Sequence, residues 1–208
     1  MRKVNLIILS ILALPSLMIG QGNFIKKGES ALSVGSGVGW GNSMTSISGS
    51  VIASLWGRID VGVSHGVLDN GDAGRGTSYI LSYYLLRGKS GRSYVGLNCT
   101  YTVEQTYDPS GYWVYNKFLP KEIMRYGTSY TLSYGILFPQ SNTWSFIAGI
   151  ELGVMQITVP QFMIGVDLSL LIPILNSSEL IASIGYGHVV ESAHVFGIDI
   201  TYLYKFNL

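Results

Sequence analysis

The sequence has little charge, one cysteine and three histidines in 208 residues. Charged residues make up 12% of the chain, against roughly 25% in an average globular protein. Because Cys99 is the only cysteine, an intramolecular disulfide scaffold is excluded. No basic cluster is large enough to predict a nucleic-acid partner, and no spacing of His, Cys, Asp or Glu matches a metal-ligand motif. We therefore expect no metal and no other cofactor.

Long apolar runs are also missing, except at the N-terminus. There, Arg2 and Lys3 precede an apolar stretch from Leu6 to Ile19, which is too short for a typical membrane-spanning helix. Gly20 is a small residue of the kind that precedes a cleavage point. The pattern predicts a signal peptide over residues 1–20 and one mature domain over residues 21–208. An uncleaved anchor helix is the alternative.

The dominant pattern of the mature chain is alternation with period two. Successive side chains of a strand point to opposite faces, so alternating bulky apolar and small polar residues indicate a strand between two different environments. The pattern predicts an all-β fold with ten strands, and leaves eight to twelve open. The predicted strands cover residues 30–40, 45–56, 58–67, 77–87, 93–106, 126–138, 143–155, 161–172, 180–189 and 194–207.

The two faces of these strands predict a barrel in a membrane. The bulky face is apolar, whereas the other face consists mostly of Gly, Ser, Thr and Asn with scattered charges. Small polar residues can fill the narrow lumen of a ten-stranded barrel, but they would form a poor hydrophobic core. We therefore predict a closed, antiparallel, up-and-down transmembrane β-barrel with lipid against the bulky face. A secreted two-sheet sandwich with a mixed core is the alternative.

The connections between predicted strands alternate in length. Residues 56–58, 87–92, 139–142 and 173–179 form short connections, whereas 68–76 and 107–125 form longer ones. Short periplasmic turns and long outer loops are typical of outer-membrane barrels. Trp56 at one predicted strand end and Trp40 at another would then lie at the two membrane interfaces, where amphipathic rings are favoured.

The end of the chain places Tyr202, Tyr204, Phe206 and Leu208 at every second position. This segment resembles the C-terminal assembly signal of bacterial outer-membrane proteins, which alternates apolar and aromatic residues up to a terminal aromatic. With the signal peptide, the whole pattern is similar to the small barrels of the OmpA and OmpX type. The resemblance implies localisation in the bacterial outer membrane, insertion by the barrel assembly machinery, and contact with outer-membrane lipid and lipopolysaccharide. It implies no substrate, and we expect a monomer.

Alternation also assigns the charged residues to faces. The predicted luminal charges are Arg58, Asp60, Glu104, Glu151, Asp167, Asp199 and Lys205. Charges inside a membrane span face a water-filled cavity or pair with each other. The inward charges are therefore compatible with an open pore and also with a lumen that salt bridges close. A hairpin centred near Val159 would place Glu151 directly opposite Asp167, where the two carboxylates repel. Such an acidic pair predicts a weak preference for cations in any open pore.

Two classes of function remain. The first is a non-enzymatic structural barrel, or a narrow pore for small solutes or cations. The alternative is an outer-membrane enzyme that acts on lipid or peptide at the outer rim, since His188 lies near Glu191, Ser192 and His194 on the predicted lipid side. The segment from His188 to Glu191 does not match the His-x-Ser-Asn motif of lipid A deacylases. We therefore assign no catalytic residue and expect no enzymatic activity.

Overall fold

A computed structural model of the chain describes residues 28–41, 44–69, 74–87, 93–115, 117–139, 144–156, 160–190 and 193–206. The predicted signal peptide and Leu208 lie outside these ranges. All regular structure within them is β. The strands are β1 Ser30–Gly41, β2 Met44–Leu55, β3 Ile59–Asp69, β4 Gly74–Arg87, β5 Ser93–Val114, β6 Lys117–Pro139, β7 Ser145–Gln156, β8 Pro160–Leu175, β9 Ser178–Val189 and β10 Ala193–Phe206.

The ten strands form one closed antiparallel barrel, which confirms the predicted fold class and strand count. Each strand pairs with its neighbours in sequence, and β1 pairs with β10 from Ser30↔Phe206 to Trp40↔Phe196. Closure gives every strand a partner on both sides and removes the free sheet edge. We call the rim at which Ser30 pairs with Phe206 the terminal rim. The opposite rim, beyond which β5 and β6 continue, is the hairpin rim.

The walls of the barrel keep the alternation of the sequence. In β8 the odd-numbered residues from Met163 to Leu171 are buried, whereas the even-numbered residues from Val166 to Leu170 are exposed. Most inward positions are therefore small or polar, with bulky apolar residues such as Met163 and Leu171 toward the two rims, and the outward positions carry bulky apolar side chains. No helix in the described part of the chain is long and apolar enough to cross a membrane.

Outward aromatic side chains pack against each other across neighbouring strands. Phe196 of β10 lies 6.4 Å from Trp40 and 4.8 Å from Tyr186, measured between ring centroids. On the other side of the barrel, Tyr101 lies 6.4 Å from Tyr79 and 6.5 Å from Tyr126. These contacts join β9, β10 and β1 in one group and β4, β5 and β6 in the other. They therefore tie adjacent strands together on the outer face.

The segment 107–125, predicted to be the longest loop, is instead the end of a β-hairpin. β5 and β6 run on to Val114 and Lys117, and their ladder shifts register between Asp108 and Tyr112. The Pro-Ser-Gly sequence at 109–111 favours a turn, but the strand accommodates it as an irregularity of the bulge type. β4 accompanies β5 only to Gln105, and β7 accompanies β6 only from Thr128. Beyond these residues the hairpin is a two-stranded ribbon that projects past the hairpin rim.

The turn between β2 and β3 is tight. Trp56 and Gly57 have φ angles of 52° and 60°, and the Arg58 amide donates to the Leu55 carbonyl at 2.9 Å. Positive φ at both central residues is the signature of a type I′ hairpin turn, and it is unusual for tryptophan. The turn carries the chain past the terminal rim before β3 begins. Arg58, predicted to be luminal, is therefore exposed at the rim, where its guanidinium keeps its hydration.

Candidate functional site

The lumen is lined by small side chains interrupted by acids. Inward positions of β2, β3, β4 and β6 carry buried serines and threonines. The inward acids named from the sequence lie among them, and Asp60, Glu104, Glu151 and Asp167 are each at most 6% exposed. Asp199 is partly buried. The lumen is thus the place where the described chain concentrates its buried charge.

Three of the acids, Glu151, Asp167 and Asp199, lie close together at mid-depth on the β7–β10 side of the wall. Asp167 pairs with Gly149 on β7 and with Gly185 on β9. Glu151 is the next inward residue after Gly149, and Asp199 pairs with Ser183, the inward residue before Gly185. The charges of neighbouring acids therefore act on each other.

The predicted direct opposition of Glu151 and Asp167 is wrong. Glu151 pairs with Gly165, and Asp167 pairs with Gly149. The two carboxylates are diagonal neighbours on the same face, because the hairpin is centred one residue earlier than expected. The absence of a side chain at Gly149 makes room for Asp167, since a methyl group there would collide with its carboxylate oxygen Oδ1.

Polar neighbours hold the carboxylate of Glu151. The amide of Asn98 donates to its Oε1 atom at 3.1 Å, and the hydroxyl of Thr131 donates to the same oxygen. Asn98 also donates to the Thr131 hydroxyl at 3.1 Å. These bonds connect β5, β6 and β7 across the inner wall. Donors from uncharged groups stabilise the acid without neutralising it.

Among the described residues, the cationic side chains lie away from this mid-depth group. Arg125 is directly opposite Glu104 on β6, toward the hairpin rim. Within the described chain no hydrogen bond reaches either carboxylate oxygen of Glu104. At the terminal rim, Lys205 donates to Glu179 at 2.5 Å, and both side chains are partly buried. The two ends of the lumen thus carry pairs of opposite charge, whereas its middle carries acids.

Apolar side chains fill the lumen near the terminal rim. One group consists of Ala31, Ile181 and Leu203, and the other consists of Tyr84, Tyr94, Ile147 and Leu171 with Leu137 packed against it. Tyr84 and Tyr94 meet edge to face with ring centroids 5.8 Å apart. Every buried member of the two groups is at most 7% exposed. This end of the barrel is therefore packed like the core of a soluble protein.

Sequence reasoning missed four of these inward residues. Arg125 and Glu179 stand at the edges of the predicted connections 107–125 and 173–179, so the sequence pattern assigns neither residue to a face. Tyr84 and Tyr94 were overlooked because large aromatic residues were expected on the lipid side. Tyr84 and Tyr94 lie two residues from Ser82 and Gly96, which are inward, and this spacing is the signal that places them on the inner face.

The outward face carries a pair of histidines near the hairpin rim. His188 of β9 is directly opposite His194 of β10, and their rings stack with centroids 4.4 Å apart. The hydroxyl of Tyr186 lies 2.6 Å from Nδ1 of His194. Glu191 and Ser192, which the enzymatic alternative would need, lie outside the described residues. Within the described ranges, no three His, Cys, Asp or Glu side chains form a set that could hold a metal ion.

The C-terminal residues that resemble an assembly signal lie on the strand that closes the barrel. Tyr202 and Tyr204 point outward and are exposed, and Phe206 is half-buried. Their partners on β1 are Val34, Leu32 and Ser30. Tyr204 and Phe206 have ring centroids 6.4 Å apart.

Comparison with known proteins identifies the architecture. The translocator domain of the autotransporter NalP from Neisseria meningitidis superposes with a TM-score of 0.56 at 10% identity, over 94% of each chain. The β-domain of the Bordetella autotransporter BrkA gives 0.48 at 13% identity, over 86% of this chain and 99% of that one. The outer-membrane protease OmpT from Escherichia coli gives 0.42 at 11%, over 86% and 96%. No protein-family profile and no curated protein sequence matches. The similarity to the NalP domain shows a shared barrel fold.

Proposed function

We propose that the protein is a non-enzymatic, monomeric β-barrel of the bacterial outer membrane, exported by a signal peptide, whose lumen is closed by its own side chains. The proposal rests on one observation: the apolar and polar faces of the sheet are reversed relative to those of a soluble barrel. Bulky apolar residues cover the outside, whereas the inside combines small polar residues with a packed apolar end. A barrel of this kind needs lipid outside and conducts little through its centre.

The outer face supports placement in a membrane. Exposed leucine, valine, isoleucine and aromatic side chains occur on all ten strands. A soluble monomer rarely exposes a contiguous apolar patch of more than a few hundred Å², because such a patch drives aggregation. Here the apolar band encircles the molecule, and membrane lipid and the acyl chains of lipopolysaccharide are suitable partners for it. The terminal rim would face the periplasm, where short turns are usual.

The inner face supports a closed lumen. The groups around Leu203 and Ile147 fill the terminal-rim end, and the Lys205–Glu179 ion pair lies beside them. On the β7–β10 side toward the hairpin rim, Met155, Met163, Val189 and Val195 are each at most 2% exposed. A solute would have to displace several packed side chains to pass. The barrel therefore serves as a stable structural element in the membrane.

Three measurements test the proposal. Cell fractionation should recover the protein in outer membranes, and an unboiled sample should migrate differently from a boiled one on a gel, because a closed barrel resists detergent. Purified protein in planar bilayers should show no steady conductance. Identical migration before and after boiling, together with solubility in periplasmic extracts, would contradict the membrane barrel. A large constant conductance would contradict the closed lumen alone.

A narrow cation pathway is the second candidate, and one specific observation favours it. Glu151, Asp167 and Asp199 share the middle of the lumen, while Arg125 and Lys205 lie toward its ends. An acidic zone at mid-depth would admit cations more readily than anions if the packed end opened. Brief cation-selective openings in planar bilayers would support this candidate, whereas anion-selective openings would reject it.

A further inference from the structure

We propose that His188 and His194 form a binding site for a divalent transition-metal ion of the kind that imidazole prefers, with Cu²⁺ bound more tightly than Ni²⁺ or Zn²⁺. The two residues are direct cross-strand partners on β9 and β10, and both lie on the outward face near the hairpin rim. The site is separate from the lumen. It requires neither a closed pore nor a particular solute.

The spacing of the two rings suits a shared metal ion. Directly opposed residues of an antiparallel pair have β-carbons about 4.5–5.5 Å apart. The imidazole rings are stacked with centroids 4.4 Å apart and planes inclined by 19°. Two imidazole nitrogens at about 2.0–2.1 Å from a metal lie about 3.3 Å apart in a tetrahedral Zn²⁺ site and about 2.9 Å apart at neighbouring positions of a square-planar Cu²⁺ site. Because each lone pair lies in the plane of its ring and the two planes are nearly parallel, both rings must turn about their side-chain torsions before the lone pairs converge on one ion.

Tyr186 provides a hydrogen-bond partner for the second ring nitrogen of His194, as metal-binding histidines normally have. Its hydroxyl lies 2.6 Å from Nδ1 of His194, and its ring stacks beside the same imidazole. If Nδ1 carries the proton and donates it to the phenol oxygen, Nε2 is left as a free lone pair for the metal. A fixed second hydrogen bond of this type holds the tautomer and the ring orientation of a ligand.

Among the described residues, no further His, Cys, Asp or Glu joins the two histidines, so water can complete the coordination of the ion. His194 is exposed and His188 is half-buried, at the end of β9 and the beginning of β10. Phe196 packs against Tyr186 and keeps that ring in place below the histidines. Two protein ligands with water give an exchangeable site, and the order of affinity for such a nitrogen site favours Cu²⁺.

The third histidine of the chain provides a matched control. His65 also lies on the outward face, but on β3, separated from β10 by β1 and β2. Its Nδ1 atom lies 2.9 Å from the hydroxyl of Thr77. It therefore has a comparable polar neighbour but no second imidazole opposite it, since its strand partners are Gly49 and Thr77.

The test is isothermal titration calorimetry, in which Cu²⁺ is titrated into the untagged, folded protein in detergent. One Cu²⁺ per chain is expected. His188→Ala and His194→Ala should each weaken binding at least about tenfold, and Tyr186→Phe by about tenfold. His65→Ala should leave the affinity unchanged. An unboiled gel confirms that each variant is folded.

The proposal fails if the wild-type protein does not bind Cu²⁺. It also fails if both His188→Ala and His194→Ala retain wild-type affinity, or if His65→Ala lowers the affinity as much as they do. Should a variant not fold, the electron paramagnetic resonance spectrum of the wild-type copper complex decides. Coupling to two imidazole nitrogens supports the site, and coupling to one or none overturns it.

Discussion

Tyr84 donates a 2.8 Å hydrogen bond from its phenol to Oδ2 of Asp60, inside the terminal rim. Both side chains are at most 3% exposed, and the Tyr84 ring packs against Tyr94. A buried carboxylate thus fixes an aromatic ring across the end of the lumen. Hydrogen bonds to charged groups contribute about 1.5–3 kcal/mol, so the ring is held firmly in this position.

Tyr84→Ala should therefore open the packed end. The substitution removes a ring from the group that includes Ile147 and Leu171, and large-to-small changes in such cores cost about 3 kcal/mol. We expect transient conductance in planar bilayers that the wild type lacks, together with a lower urea midpoint of unfolding. Tyr84→Phe is the control, because it keeps the ring and loses only the hydrogen bond. Conductance equal in wild type and Tyr84→Ala would show that this ring does not close the lumen.

The acids at mid-depth give a second prediction. Replacing Glu151 and Asp167 with Gln and Asn removes two buried, mutually repelling charges while keeping similar shapes. Because burial disfavours the charged form of each carboxyl group and the two charges repel each other, the neutral replacements should be stabilising, and the thermal midpoint should rise. Lys205→Met, which instead breaks an ion pair at the terminal rim, should lower it. A double variant less stable than Lys205→Met would mean that the acids support the fold.

Gly153 gives a third prediction, which concerns packing of the wall. A methyl group there would collide with the backbone carbonyl of Tyr130 on the neighbouring strand. Since a hydrogen-bonded sheet cannot yield easily at its backbone, Gly153→Ala should destabilise the barrel by about 1–3 kcal/mol. At Gly49 the nearest atom to an added methyl is the Gly35 carbonyl oxygen at 3.7 Å. Gly49→Ala should therefore be tolerated, and equal unfolding midpoints for the two variants would refute the argument.

The closing strand gives a fourth prediction, for assembly in cells. Tyr204→Ser combined with Phe206→Ser removes outward aromatics from the segment that resembles an assembly signal. The amount of folded protein in membranes should fall several-fold, while the unfolding midpoint of protein refolded in detergent should change little. Tyr79→Ser with Tyr101→Ser removes a comparable outward pair on β4 and β5 and serves as the control. Normal insertion of the first variant would locate the signal elsewhere.

Face assignment could be predicted from the sequence because alternation is local. The side chain of Asp60 or Glu104 points inward whenever its strand exists, whatever the partner strand does. The register of pairing across a hairpin, in contrast, does not follow from alternation. Moving the centre of the β7–β8 turn by one residue moves the partner of Glu151 by two, from Asp167 to Gly165. The geometry of the turn determines that centre, and apolar alternation does not encode it.

The limits of the strands explain the other differences. Arg125 and Glu179 are inward residues because β6 and β9 begin earlier than the sequence predicts. In both places a proline lies within the neighbouring strand, Pro109 in β5 and Pro173 in β8, and the ladder shifts register beside it. Proline favours a turn in local reasoning, but the ladders of a closed barrel continue past an irregularity because the surrounding pairs hold both strands.

The β5–β6 ribbon makes it possible to determine by experiment which rim of the barrel faces the outside of the cell. From Thr106 to Val114, β5 has only β6 beside it, so this part of the chain is supported by one ladder instead of two. A two-stranded ribbon is marginally stable and opens locally far more often than the closed wall. An added protease should therefore cut here first and leave two fragments held together by the barrel. If a protease added to intact cells cleaves the protein in this ribbon, the hairpin rim faces the outside of the cell.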